Sequence, residues 1–177
     1  MADAVKFTID GQEIEAQPGQ TVIQAAMDSG LYIPYLCYMP KMDPYGACRM
    51  CVVEVEGGRG TPASCTTPVA QDMIVRTKTD DIQELRRGII ELLMTEHPHG
   101  CLTCHRIDIC GPTDVCLRHV EVNDRCVTCP KNERCELKDT VRYLGMNLES
   151  PLNYKYRQIP LEVADPFYDR DYNLCIV

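Results

Sequence analysis

Cys37, Cys48, Cys51 and Cys65 stand in one stretch, Pro34–Thr66 (PYLCYMPKMDPYGACRMCVVEVEGGRGTPASCT), at a spacing that suits an iron-sulfur cluster. Four thiolates hold a 2Fe-2S centre when a long loop brings one Cys around the core, a close pair caps one iron, and a distant fourth closes the shell. Gly46 falls where backbone amides must approach the sulfides closely. Zinc or disulfides are the competing chemistry. A tetrahedral zinc ribbon shows two close pairs, which this quartet lacks. A second cysteine-rich stretch follows: CLTCHRIDIC at 101–110 recurs as CVTCPKNERC at 126–135 with the same Cys-x2-Cys-x5-Cys spacing, an internal repeat of a ligand triad.

The segment IPYLCYMPKMDPYGACRMCVVEVEG, with PASCTTPV and DMIVRT after it, resembles the N-terminal 2Fe-2S domain of the respiratory complex I 75 kDa subunit family. That family also takes in the N-terminal modules of iron-only hydrogenases and NAD-dependent formate dehydrogenases. The likeness covers residues 1 to about 145 and implies electron-transfer chemistry. His97, separated by three residues from the first triad, makes with it a run similar to the family's 4Fe-4S motif of one His and three Cys, which implies His97, Cys101, Cys104 and Cys110 as ligands. An imidazole at one corner of a cubane removes a negative charge and raises the potential. His99 and His105 read as exposed loop residues. The family pattern has one triad, preceded by its His and followed by a segment like Glu136-Leu137-Lys138-Asp139. Here the His precedes the first copy and the Glu-Leu segment follows the second, so the copy that corresponds to the family cluster is open.

Counting ligands favours two cubanes. Cys126, Cys129 and Cys135 need a fourth donor, and Cys116 is the nearby thiol, with His119 as its rival. Thiolate binds iron-sulfur cores more commonly than imidazole does, which favours Cys116. The pairing of ligands between the two triads remains exchangeable, and a zinc knuckle in the second triad is the structural alternative.

These ligands need a scaffold. Val5–Ile9 alternates, and Asp10-Gly11 is a two-residue hairpin signal before a second short strand, Glu13–Ala16. Pro18-Gly19 breaks the pattern, Thr21 can cap, and Val22, Ile23, Ala26 and Met27 repeat at helical spacing until Gly30. Cys51–Val55 and Met73–Arg76 supply further strands, with Gly57-Gly58 and Gly60 turning the chain between them. Those glycines open no helix and so form no nucleotide loop. The expected class is α+β: a β-grasp 2Fe-2S ferredoxin domain over 1–79, then a bridging helix over 80–96 stopped by Pro98. On that helix Ile82, Leu85, Ile89, Leu92 and Leu93 fall on one face, with Glu84, Arg86, Arg87 and Glu91 on the other. Residues 97–145 form a small cluster-organised His/Cys-rich domain, folded around its metal because apolar side chains are sparse between His97 and Asn132. Residues 146–177 read as a linker punctuated by Pro151, Pro160 and Pro166. Its end, RDYNLCIV, resembles the start of a further ferredoxin-like domain, which makes Cys175 either an orphan thiol or the first residue of a domain absent from this polypeptide.

The composition narrows the function. A net charge of −8 with no basic stretch is unsuited to nucleic acid or acidic lipid. No apolar run is long enough to span a bilayer, and MADAVKFTIDG runs directly into a strand pattern, unlike a signal peptide. The expected location is therefore cytoplasmic, a reducing setting where twelve cysteines favour metal ligation over disulfides. There is no flavin or nicotinamide fingerprint and no nucleophile constellation, so no residue is assigned a catalytic role. The chain reads as an electron wire of one 2Fe-2S and two 4Fe-4S clusters. The resemblance implies a flavin-containing, NADH-oxidising subunit on one side, and a formate dehydrogenase, hydrogenase or quinone-reducing unit on the other. The rival readings are an enzyme with an open ligand position on the Cys126 triad, a redox-sensing regulator, and a zinc-stabilised structural protein.

Overall fold

Alternation sets the first two strands. In β1 (Val5–Ile9) Phe7 and Ile9 point inward, and in β2 (Gln12–Ala16) Ile14 and Ala16 do the same, all 3% exposed or less. They pair antiparallel from Val5 opposite Ala16 to Ile9 opposite Gln12. The connecting turn places both Asp10 (φ 49) and Gly11 (φ 84) in the left-handed region, the two-residue hairpin that the sequence signals. Helix α1 (Val22–Asp28) follows, with the Gln24 side chain accepting from Thr21 N–H at 2.9 Å, and Gly30 at φ 73 releases the chain.

Two short strands complete a mixed sheet in the order β2-β1-β4-β3, where β3 is Glu54–Val55 and β4 is Ile74–Arg76. β4 runs parallel to β1 and antiparallel to β3. Val22, Ile23, Ala25 and Ala26 of α1 join Phe7, Ile9, Ile14 and Val75 of the sheet in one buried cluster. Each large apolar side chain there stabilises the fold by roughly 2 kcal/mol. The expected strand Cys51–Val55 is shorter than the pattern suggests: Val52 makes only an isolated bridge to Ala63 before β3 begins.

The computed structural model describes residues 4–95, 97, 101–102, 104–116, 126–146 and 159–169. The chain divides into two units, Met1–Ile89 and Ile90–Val177, and passes from one to the other within helix α2 (Asp80–Met94). Thr79 starts α2, its hydroxyl accepting from Ile82 N–H at 3.4 Å and donating to Glu54 Oε1 at 2.6 Å. The buried stripe of α2 differs from the one its sequence suggests: Ile82, Arg86, Ile90 and Met94 are buried at successive four-residue steps, whereas Leu85 and Leu92 are exposed. The reason is Arg86, which counts as polar in a periodicity but is fully enclosed here.

The second unit holds short 3-10 turns at Cys126–Thr128 and Asn132–Arg134 and helix α3 (Glu136–Tyr143). Leu102, Leu137, Val141 and Leu144 are buried in it. The expectations for His99, His119 and Cys175, and for most of the linker, fall outside the described residues. Among the described residues no helix is long and apolar enough to cross a membrane.

Candidate metal centres

Three segments bring the first quartet together. Cys37 lies on the loop after α1, Cys48 and Cys51 on the approach to β3, and Cys65 on the return toward β4. Ser64 N–H donates to Cys51 O and Val53 N–H to Pro62 O, both at 3.0 Å, so the Cys51 and Cys65 segments run side by side. Ile23 N–H donates to Ser64 O at 3.2 Å and Val22 N–H to Thr67 O at 2.9 Å, so the start of α1 holds the same return from its other side. Cys51 and Cys65 are 1% and 0% exposed, while Cys37 and Cys48 are half-buried.

Backbone amides converge on the outer two sulfurs. Cys48 N–H donates to Cys37 Sγ at 3.5 Å, and Ala47 N–H reaches the same sulfur. The amides of Met50, Cys37 and Leu36 reach Cys48 Sγ. Burial pushes the Cys48 thiol up, but these donors outweigh it and hold it below the ordinary thiol value. Cys37 is raised, by burial first, with its amides offsetting part of the effect. Cys65 is pushed up to about 12 by burial, by contact with the Cys51 thiol, and by the charges of Cys51, Cys37 and Cys48. Four sulfurs gathered in this way, two of them under N–H donors, fit an iron-sulfur core, whose ferric charge would neutralise thiolates there and whose sulfides would accept amides. Among the described residues no three His, Cys, Asp or Glu side chains close on a single ion, and thiolates that surround a multi-iron core stand farther apart than the ligands of one ion. All eleven described cysteines are free thiols.

The thiol contacts pair Cys37 with Cys48 and Cys51 with Cys65. Spacing alone suggests the close pair Cys48 and Cys51 on one iron. Arg49 separates them: it sits at φ 56, with its guanidinium donating to Thr61 O at 2.8 Å, and turns the chain between the two cysteines. In metal-free protein at pH 8, iodoacetamide should modify Cys48 at least about tenfold faster than Cys65, because amide donors favour the thiolate at Cys48 while burial and neighbouring cysteines disfavour it at Cys65. Equal labelling in peptide mass spectra would contradict this. Gly46, at φ 65, is buried, and a Cβ on it would lie 3.3 Å from Thr66 Cγ2. Gly46→Ala should cost about 1–3 kcal/mol of domain stability, read as a lowered thermal midpoint of the metal-loaded protein.

In the second unit the internal repeat is structural as well as sequential. Cys104 N–H donates to Cys101 O and Cys129 N–H to Cys126 O, both at 3.0 Å. The next turn repeats as well, Ile107 N–H to Cys104 O at 3.2 Å and Asn132 N–H to Cys129 O at 3.0 Å. The copies then part: the second enters α3, where Cys135 Sγ caps the helix by accepting from Lys138 N–H at 3.4 Å. Lys138 bonds back to Asn132, and Arg142 of α3 pairs with Asp108 of the first copy. The Cys101 thiol contacts the Cys126 thiol; that contact, burial, and the nearby Cys135 and Cys129 push Cys126 well above the ordinary thiol value. So the structure gathers Cys101 with the second triad. Cys104, Cys110 and Cys116 are half-buried on the loop of the first copy, as is His97 beyond α2, and His105 is exposed as its loop position suggests.

Sequence reasoning missed Arg86. Its 0% exposed guanidinium donates from Nε to Met50 O at 3.1 Å, from Nη2 to Val52 O at 2.8 Å and from Nη1 to Thr77 O at 2.8 Å. Only its place in the Ile82, Arg86, Ile90, Met94 stripe carried a signal.

Comparison with known proteins agrees with this geometry. Residues 2–80 match the family described as 2Fe-2S iron-sulfur cluster binding domain. The NADH-quinone oxidoreductase G subunit of Rickettsia typhi is 37% identical over 121 residues, which is 68% of this chain and 18% of that protein. Its counterpart in Mycobacterium bovis is 46% identical over 106 residues, 59% of this chain and 13% of that one. The chain thus spans less than a fifth of the length of these relatives. A crystal structure of an NAD+-reducing NiFe hydrogenase in its H2-reduced state superposes with a TM-score of 0.74 at 32% identity, over 98% of this chain and 62% of that one. Residues 2–80 thus form a 2Fe-2S iron-sulfur cluster binding domain, in a chain that is similar over about two thirds of its length to G subunits of NADH-quinone oxidoreductases.

Proposed function

We propose that this chain is an iron-sulfur electron relay within a multi-subunit NAD-linked oxidoreductase. The observation that carries this is the gathering of Cys37, Cys48, Cys51 and Cys65 as two contacting pairs, with backbone amides converging on Cys37 and Cys48. When bound, an iron-sulfur group takes up and gives back one electron without making or breaking a substrate bond. The protein does the rest. The first unit reads as a β-grasp ferredoxin domain whose sheet and α1 fix the four sulfurs, with Cys37 and Cys48 on the half-buried side and Cys51 and Cys65 sealed from water. Electron exchange with a partner runs through the Cys37 and Cys48 side, beside the exposed Met39, Met42 and Tyr45.

For the second unit, Cys126, Cys129 and Cys135 hold a 4Fe-4S group with Cys101 as fourth ligand, in place of Cys116. Its support is the contact of Cys101 with Cys126 and the Arg142 pair with Asp108 that ties the two copies together. His97, Cys104, Cys110 and Cys116 are left as the donor set of a second cubane. The partners are a flavin-containing, NADH-oxidising subunit and a further redox subunit, in keeping with relatives that belong to an NADH-quinone oxidoreductase and an NAD+-reducing hydrogenase.

The test is a potentiometric titration of the anaerobically purified chain followed by electron paramagnetic resonance. The expected result is distinct one-electron signals of 2Fe-2S and 4Fe-4S type. Bound zinc with no reducible signal would refute the relay.

A further inference from the structure

We propose that Arg86 is a positioning residue that sets the reduction equilibrium of the 2Fe-2S site by fixing a buried positive charge against the backbone on both sides of Cys51. The proposal rests on the reading of residues 2–80 as a 2Fe-2S domain. Met50 and Val52 are the two neighbours of Cys51, and Arg86 donates to the carbonyls of both, at 3.1 and 2.8 Å. The third donation, to Thr77 O at 2.8 Å, anchors the fork at the end of the sheet. Thr77 is itself held, with its N–H and hydroxyl both donating to the carboxylate of Asp10 in the β1–β2 turn. Guanidinium stays protonated at any working pH, and its planar fork is what lets one side chain bond three carbonyls at once.

A full charge at 0% exposure is stable only where hydrogen bonds and nearby negative charge compensate it. A cluster of net negative charge on Cys51 supplies a further counter-charge. On reduction one electron arrives from an external one-electron donor, no proton moves and no bond to the protein changes, so the bound group gains one negative charge. Attraction to Arg86 grows at that moment and favours the reduced state. For unit charges about 8 Å apart at an effective dielectric of about 20, such an attraction would be roughly thirtyfold in the equilibrium constant for reduction.

The experiment compares the full-length chain with Arg86→Gln and Arg86→Lys, measuring iron content and the midpoint of the 2Fe-2S resonance signal at pH 6. With the charge removed, Arg86→Gln should keep its two irons and its signal but lose at least tenfold in the reduction constant, about 59 mV for one electron. Arg86→Lys, which keeps the charge but not the fork, should stay within about threefold of the native chain. A Gln variant within threefold of native would overturn the proposal, as would a Lys variant shifted tenfold or more. If the Gln chain fails to hold iron, the Lys variant decides alone by the same criterion. Absence of any 2Fe-2S signal in the native chain would overturn the underlying reading itself, an outcome distinct from a native signal that Arg86 does not tune.

Discussion

Cys101→Ser and Cys126→Ser, each alone, should remove about four irons per chain, and the double variant should remove about four as well. The two sulfurs touch, and Cys129 and Cys135 lie close enough to raise the Cys126 thiol further. Two ligands of one cubane fail together, so the second substitution has nothing more to release. Repeat symmetry and the family motif both imply the opposite: Cys101 with His97, and Cys126 with Cys116. In that arrangement the double variant loses about eight irons. Iron analysis on the three variants decides between them, with the 2Fe-2S signal as an internal control that none of them should change.

Removing iron and sulfide should affect the two units very unequally. In the first unit Phe7, Ile9, Ile14, Val22, Ile23 and Val75 form a continuous core behind the sheet. That core should keep amide protection in β1, β2 and α1 above about a thousandfold after chelation. Among the described residues of 101–116 and 126–135 little is buried besides Leu102, and their turns are organised by cysteines. Their protection should fall to within about tenfold of an unfolded chain, because metal binding there supplies the folding energy. Hydrogen exchange of loaded and stripped protein, read by peptide mass spectrometry, measures the contrast. Retained protection over 126–135 in stripped protein would contradict it.

Local chemistry was legible in the sequence where one residue type has one strong preference. Asp10-Gly11 announced its hairpin and Thr21 its helix start. The cysteine quartet was legible because Cys37, Cys48, Cys51 and Cys65 lie on one loop system whose closure needs little tertiary information. What was hidden depends on long-range contact. Arg86 reads as surface wherever only apolar residues are counted, and two of the carbonyls that accept its donors belong to Met50 and Val52, more than thirty residues away. Spacing shows Cys48 and Cys51 as a close pair, but not the turn at Arg49 and the bridge from Val52 to Ala63 that bring the Cys51 thiol to Cys65. The grouping of Cys101 with Cys126 was hidden for a related reason. An internal repeat shows that each copy forms the same turns, but not which thiols of the two copies meet.

The measurement that bears most directly on the relay is the content of iron, zinc and acid-labile sulfide per chain in anaerobically purified protein. One 2Fe-2S and two 4Fe-4S groups require about ten irons with matching sulfide and no zinc. About six irons, with one zinc, would show that one triad is structural and would contradict the three-cluster relay.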